Sequence, residues 1–421
     1  MKFRKNITAF LAAVTAASLV IGCGNSGSAS TADNGNTAPG SKGSIEFWTV
    51  FTGEDGSSMQ AIVDAYNATN PQYTVNHRAL EAKDLYLNVP LAIQSGQGVP
   101  DVVINHIERI PVFQENGFLT DLKPLLEENG ISPDNYNTRA WEMSDLNGGH
   151  FGIPLDVHSF IMYVNMDLYE QYGNGELDDG VVTWDEIYAA ANDLTAANLI
   201  PFPITWQRAN FLSSYGQLNG SLSADGQTPD FNNRDAIKVM ELWRDLYDKG
   251  YTIKEGDAPW EMFLGGQAMF CPEGCWMYNS VKEAGLNVKM IDYPVFDVNA
   301  KGNWTSSHQF VIPKDDKRDP EKVKAIFDFI DFVGNNSLEW AKAGQVPAHV
   351  SIKENAEFRE MPQAFLAEYN EELKLYDFKY YGYAVDALDK ITGEVLFGRM
   401  TPEEGLNQAV RETKDSIELG N

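Results

Sequence analysis

Where the apolar runs of this chain break off, tryptophans, carboxylates, amides and histidines gather. Trp48 and Phe51 lie on the run 45–51, with Glu54 and Asp55 directly after it. Asn105 and His106 close the run that begins at Val102, and Glu108 follows. Asp156 and His158 precede a third apolar stretch. Trp206 and Arg208 follow Pro203-Ile204-Thr205, and Glu273 and Trp276 follow Phe270. Such a mixture suits a molecule with two kinds of surface. The C–H faces of a sugar lie flat on aromatic rings. Its hydroxyls need carboxylate, amide, His or Arg partners, because a buried hydroxyl without one is costly. Two other readings use the same residues. Rings and carboxylates make a cage for a cationic solute such as a polyamine or betaine. Two carboxylates can also flank a glycosidic bond, as in a surface glycoside hydrolase. Each residue has a plainer role as well: Trp48 as core, Glu54 and Asp55 as acids at a helix start, Asp156 as a structural hydrogen-bonder.

Motifs of catalysis are missing. The chain has no phosphate-binding Gly loop ending in Lys-Ser/Thr, no GxSxG elbow and no HExxH. Gly96-Gln97-Gly98 lacks the third Gly of a dinucleotide fingerprint. The six His stand at 77, 106, 150, 158, 308 and 349, without metal-ligand spacing, and read as surface or hydrogen-bonded residues. No cofactor, no metal and no enzymatic activity are therefore expected. Formal charge is −28, and removal of a leader holding Lys2, Arg4 and Lys5 takes it near −31. A phosphate-backbone binder needs the opposite sign, so nucleic acid is not an expected partner. Only Cys271 and Cys275 remain besides Cys23, too few for a disulfide scaffold. Whether those two are bridged stays open.

The elements that must position these residues alternate. Residues 45–51 and 73–79 read as strands, and Met59, Ile62, Val63 and Tyr66 between them fall at helix spacing. Asn70-Pro71 stops that helix. A helix over 85–93, kinked at Pro90, and a strand over 102–105 continue the pattern. Thr183-Trp184-Asp185-Glu186 is a capping box. Asp319-Pro320-Glu321 and Thr401-Pro402-Glu403-Glu404 open two further helices. Strand–helix–strand order argues for an α/β fold with largely parallel sheets. Roughly 380 residues follow the N-terminal segments, more than one core usually holds, so two lobes are expected.

The N-terminus carries a different message. Lys2, Arg4 and Lys5 precede a short apolar run that ends at Ile21-Gly22, the pattern of a secretory signal peptide. Val20-Ile21-Gly22-Cys23 resembles a bacterial lipobox, which implies lipidation of Cys23. Residues 24–43 hold small and polar residues with no large apolar one, the composition of a flexible tether. Two acyl chains hold a protein stably on a membrane.

Beyond residue 44 the order of motifs resembles the extracellular solute-binding proteins of ABC importers, in their carbohydrate-binding branch. The markers are Ile45-Glu46-Phe47-Trp48, then Ser95-Gly96-Gln97-Gly98-Val99-Pro100-Asp101, then Gly152-Ile153-Pro154-Leu155-Asp156 with Tyr163-Val164-Asn165-Met166-Asp167-Leu168-Tyr169. Thr183-Trp184-Asp185-Glu186, Gly265-Gly266-Gln267-Ala268-Met269-Phe270 and Gln345-Val346-Pro347-Ala348 complete the set. The resemblance implies two α/β lobes, each with a mostly parallel sheet, and a ligand cleft between them. It implies a signal peptide over 1–22 and a tether over 23–43. The first lobe would hold 44–162 and 311–343, the second 163–310 and 344–421. Chain crossings would fall near 161–166, 309–313 and 344–349. His308 beside the second crossing, with Trp260 and Tyr381 on the second lobe, joins the candidate ligand contacts. The expected protein is a monomer, lipid-anchored on the extracytoplasmic face of the cell membrane, that binds a carbohydrate, closes by a hinge and delivers it to permease subunits.

Overall fold

A computed structural model describes residues 41–173, 177, 180–369 and 372–419, apart from the side chain of Glu54. Cys23, the leader and most of the tether lie outside the described residues. No helix among the described residues is long and apolar enough to cross a membrane.

The strands, in chain order, are β1 (Gly43–Thr49), β2 (Tyr73–Ala79), β3 (Val102–His106), β4 (Asp145–Leu146), β5 (Gly149–His150), β6 (Ile153–Pro154), β7 (His158–Asn165), β8 (Phe270–Gly274), β9 (Val288–Ile291), β10 (Asn303–Ser306), β11 (His308–Val311) and β12 (Leu373–Lys374). One sheet runs β2-β1-β3-β11-β6. A second runs β12-β10-β7-β8, with β9 also on β7. β4 and β5 form a small hairpin.

The first sheet follows from its residues. β1 buries Ile45, Phe47 and Thr49 and leaves the alternate positions half covered, as a period of two requires. β3 stands next to it and buries Val102 to Asn105 on both faces, the mark of a central strand. The helix Glu54–Ala68 spans the crossover from β1 to β2. It ends where Asn70 takes a left-handed φ of 56° before Pro71. The helix Ala82–Ser95 carries Pro90 inside it and links β2 to β3. The capping box forms as read: Thr183 Oγ1 accepts from Glu186 N–H, and Glu186 accepts from Thr183 N–H. Asp319 caps the helix Pro320–Asn335. Thr401 and Glu404 cap each other at the start of the last helix.

Largely parallel sheets describe only part of what forms. β1 is parallel to β2 and β3. β11 runs antiparallel to β3 and β6, and β7 runs antiparallel to β8, β9 and β10. The reason is connectivity. β6 ends and β7 begins at one passage of the chain between the sheets, and β10 ends and β11 begins at another. Strands tied to the passages by opposite ends must run in opposite directions when they pair.

Those passages also correct the expected crossing points. β7 pairs with the second sheet over its length, so the chain changes sheets at 155–157, before residue 161. It returns at Ser307, since β11 already belongs to the first sheet at His308. A third segment, 346–348, lies against the first: Val157 N–H donates to Val346 O at 2.8 Å and Ala348 N–H to Leu155 O at 3.0 Å. Apolar clusters flank the sheets, one containing Ile45, Phe47, Ile104, Phe310 and Phe329, another containing Phe160, Phe202, Trp243 and Leu388. Cys271 and Cys275 are buried free thiols.

Candidate functional site

A cleft of about 340 Å³ opens where strand ends of both sheets meet, within the size range of small-molecule sites. On the first-sheet side, Phe51 and Asp55 come from the end of β1 and the start of the next helix. Glu81 and Tyr86 come from the start of the helix Ala82–Ser95. His106, Glu108 and Arg109 continue from β3 into one tight helical turn, and His308 opens β11. On the second-sheet side, Trp206 and Arg208 start the helix Gln207–Gln217 and Trp276 follows β8. Trp304 lies on β10, and Asp386 and Asp389 lie on the helix Tyr381–Leu396.

Local structure explains how the rings reach the cleft. Gly274 has no side chain because a Cβ there would stand 2.2 Å from the Trp276 ring. Trp276 then packs edge-on to Trp206 at 6.1 Å and to His158 at 5.4 Å between centroids. Trp206 is 51% exposed, an unusual place for so large an apolar ring unless something covers it. Arg208 lies over Trp304 at 5.1 Å and donates to Asp389 at 2.8 Å. Arg109 bridges to Asp386 through two bonds of 2.6 and 3.0 Å, tying the turn after β3 to the second side. Glu108 accepts from Ser306 Oγ at 2.8 Å.

Below the surface, Asp156 organises the first wall. It is fully buried. Its carboxylate accepts from His158 Nδ1 at 2.9 Å, His308 Nδ1 at 2.8 Å, His308 N–H at 3.1 Å and Trp340 Nε1 at 2.9 Å. Burial opposes the charge, but these donors hold the carboxyl well below the usual range. His106 bonds through Nδ1 to the Tyr86 hydroxyl. Burial disfavours a charged ring at both His106, which falls to about 3, and His158. Burial also raises the Asp55 carboxyl, against the Gly53 and Gly56 N–H donors that it caps.

The structure brings Phe51, Asp55, His106, His158, Trp206, Arg208, Trp276 and His308 to one cleft. Others lie elsewhere. Trp48 points away from the Phe47 face of β1 and lies against Arg78 and the cluster around Leu85. Asn105 is fully buried in the middle of the first sheet. Asp156 stands behind the wall and acts through the two histidines. Tyr381 is core, accepting from Trp304 Nε1 at 2.7 Å. Trp260 and Glu273 line a neighbouring hollow of about 310 Å³ that shares Trp206 with the cleft. Trp260 stacks on Phe263 there. Burial pushes Glu273 up to about 8. The Glu54 side chain lies outside the described residues. All six histidines are hydrogen-bonded, and three that are scattered in sequence, His106, His158 and His308, converge, because three strand ends meet at the passages.

Tyr86, Glu81, Trp304, Asp386 and Asp389 join the wall without having been nominated. A signal existed for the aspartates, which stand at i and i+3 on one helix face. Glu81 and Tyr86 frame the start of a helix that follows a strand end. For Trp304, inside a four-residue strand, sequence offered none.

Residues 61–366 match the model of the bacterial extracellular solute-binding proteins, and the chain belongs to that family. A maltooligosaccharide ABC transporter solute-binding lipoprotein of Streptococcus pneumoniae is 24% identical over 99% of this chain and 98% of its own length. A maltodextrin-binding protein of Bacillus subtilis is 22% identical over 76% and 78%. Among solved structures, an ABC substrate-binding protein of Listeria monocytogenes in complex with cycloalternan superposes with a TM-score of 0.76 at 19% identity. That match covers 90% of this chain and 99% of the other. The fold is that of the two-domain periplasmic binding proteins.

Proposed function

We propose that this chain is the lipid-anchored, carbohydrate-capturing subunit of an ABC importer, and that its ligand is an oligosaccharide. The observation that carries this reading is the make-up of the cleft. Trp206, Trp276 and Trp304 line one side, with Asp386 and Asp389 beside them, and Asp55, Glu81, Glu108, histidines and Arg109 line the other. The names of the relatives, which speak of maltooligosaccharide and maltodextrin, support it. The hollow beyond Trp206 offers room for a ligand longer than the cleft itself. A cationic solute fits less well. Asp386 and Asp389 are bound to arginines, Glu108 to Ser306 and Asp55 to backbone N–H groups. Among the cleft carboxylates, Glu81 alone lacks a hydrogen-bond partner among the described residues.

On this reading the chain is monomeric. Residues 1–22 are removed and Cys23 bears the lipid. The lobes are joined at 155–157, at Ser307 and at 346–348. Ligand bridges both walls and shifts the population toward a closed form, which permease subunits receive, and no bond of the sugar is broken. A thermal-shift series on the full chain in detergent tests it, using maltotriose, longer maltodextrins, other oligosaccharides, polyamines and betaines. A ligand at about 100 times its Kd should stabilise by about 2.7 kcal/mol. A response confined to amines overturns the sugar assignment, and hydrolysis of bound sugar overturns the binding-only role. Cys23→Ala should move the protein from the membrane fraction to the medium; retention on the membrane would remove the lipid anchor from the proposal.

A further inference from the structure

Three imidazoles share one corner of the cleft. His106, His158 and His308 each place a ring nitrogen within 4.8 Å of one on both of the others. The ring centroids of His158 and His308 stand 4.3 Å apart, and those of His106 and His308 4.8 Å. Sugar recognition does not call for three histidines so close together. All three line the cleft.

The surroundings orient them as metal ligands are oriented. His158 and His308 both give Nδ1–H to the buried Asp156 carboxylate. That fixes the tautomer with the lone pair on Nε2. The Tyr86 oxygen, which accepts from the His106 backbone N–H at 3.2 Å, can accept from His106 Nδ1–H as well. Among the described residues, none of the three Nε2 atoms has a hydrogen-bond partner. A carboxylate behind a ligating histidine is the usual support of a histidine metal site, holding the ring and raising its basicity. Asp156 serves two rings at once.

We infer that His106, His158 and His308 form a site for one divalent transition-metal ion of the zinc, nickel or copper type, bound through Nε2 of each ring. Neutral imidazoles favour these borderline ions over magnesium or calcium, which seek oxygen. Three protein ligands leave a fourth position for water or a ligand group, and here that position faces the cleft. Nitrogens of a tetrahedral zinc centre stand about 3.3 Å apart, against ring nitrogens here that lie within 4.8 Å of one another, so binding an ion requires the rings to draw together. The inference does not depend on the sugar reading, although the same three rings line the cleft.

The test is calorimetric titration of Zn²⁺ into the untagged full chain in detergent after EDTA treatment, with Co²⁺ as a spectroscopic probe. One ion per chain is expected, and Co²⁺ should give the intense visible bands of a four-coordinate centre. His106→Gln, at the partly exposed ring, should weaken zinc by at least about tenfold, and Asp156→Asn by about 10–100-fold. Absence of a 1:1 event, the weak spectrum of hydrated Co²⁺, or unchanged zinc affinity in His106→Gln overturns the site. Should Asp156→Asn fail to fold, the wild-type spectrum and His106→Gln decide. Maltotriose binding measured in EDTA reports on the sugar reading separately.

Discussion

The two walls of the cleft are made of different material. The second-sheet wall presents indoles, Trp206, Trp276 and Trp304, with Arg208 lying on the last and Asp386 and Asp389 beside them. The first-sheet wall contains no tryptophan. It presents Asp55, Glu81, Tyr86, His106, Glu108, Arg109 and His308, most of them fixed by bonds to one another or to the backbone. One wall offers flat apolar area and adapts to any sugar face. The other offers directed donors and acceptors and discriminates. On the proposed reading, affinity comes mainly from the indole side and selectivity mainly from the other.

The strongest way to break that division is to remove the support of the first wall. Asp156→Ala takes a buried carboxylate from two imidazoles and the Trp340 N–H. Breaking such a buried arrangement costs about 3–5 kcal/mol, which denaturant unfolding will read. Next in size is Trp276→Ala on the second wall. Loss of a central ring should cost about 2 kcal/mol of binding, roughly thirtyfold, and similarly for every oligosaccharide bound. Calorimetry across a sugar panel checks whether the loss is uniform. On the first wall, Glu81→Gln should cost about 1 kcal/mol and change the ranking of sugars, which a uniform loss would contradict. Asp386→Asn weakens the Arg109 tie across the cleft. Both partners are partly exposed, with side chains 21% and 51% accessible, so the effect should be about 0.5 kcal/mol, read as reduced ligand-induced compaction in solution scattering.

Glu273 lines the neighbouring hollow and not either wall of the cleft, and it has a pH signature. Its carboxyl titrates from 4.5 when unfolded to about 8 when folded, because it is buried with Gly274 N–H as its nearest donor. The protonated form favours the fold. Stability is therefore full below pH 4.5 and is lost as pH rises through 8. Glu273→Gln should flatten that decline in melting temperature. Asp156 and Glu273 differ by the donors around them, not by depth: each is almost wholly buried.

Short-range features were readable because their causes are short-range. The strand Tyr73–Ala79, the Thr183–Glu186 box and the Asp319 and Thr401 caps depend on residues within a few positions. The passages between the sheets were placed from the resemblance, a few residues beyond where the chain changes sheets, because all eight residues of β7 are buried and nothing local marks its start. Glu273 was assigned to the cleft by its strand end and Trp260 by its place in the second lobe, but both line the neighbouring hollow. The histidine corner was invisible because its members are separated by about 50 and 150 positions. Nothing in spacing reports a contact made by three strand ends.

The order of strands in the first sheet sets a timetable for the newly made chain. β3 is completed at His106, but its partner on one side begins at His308. About 200 residues, including the whole of β7 to β10, must be made before that edge can be covered. At about 5–20 residues per second the wait is roughly 10–40 s. Throughout it, Val102-Val103-Ile104 would be an apolar, unpaired edge, the kind that joins other chains. On the proposed reading, crossing the membrane before folding would remove that hazard, and residues 1–22, read as a leader, would be the part that commits the chain to it.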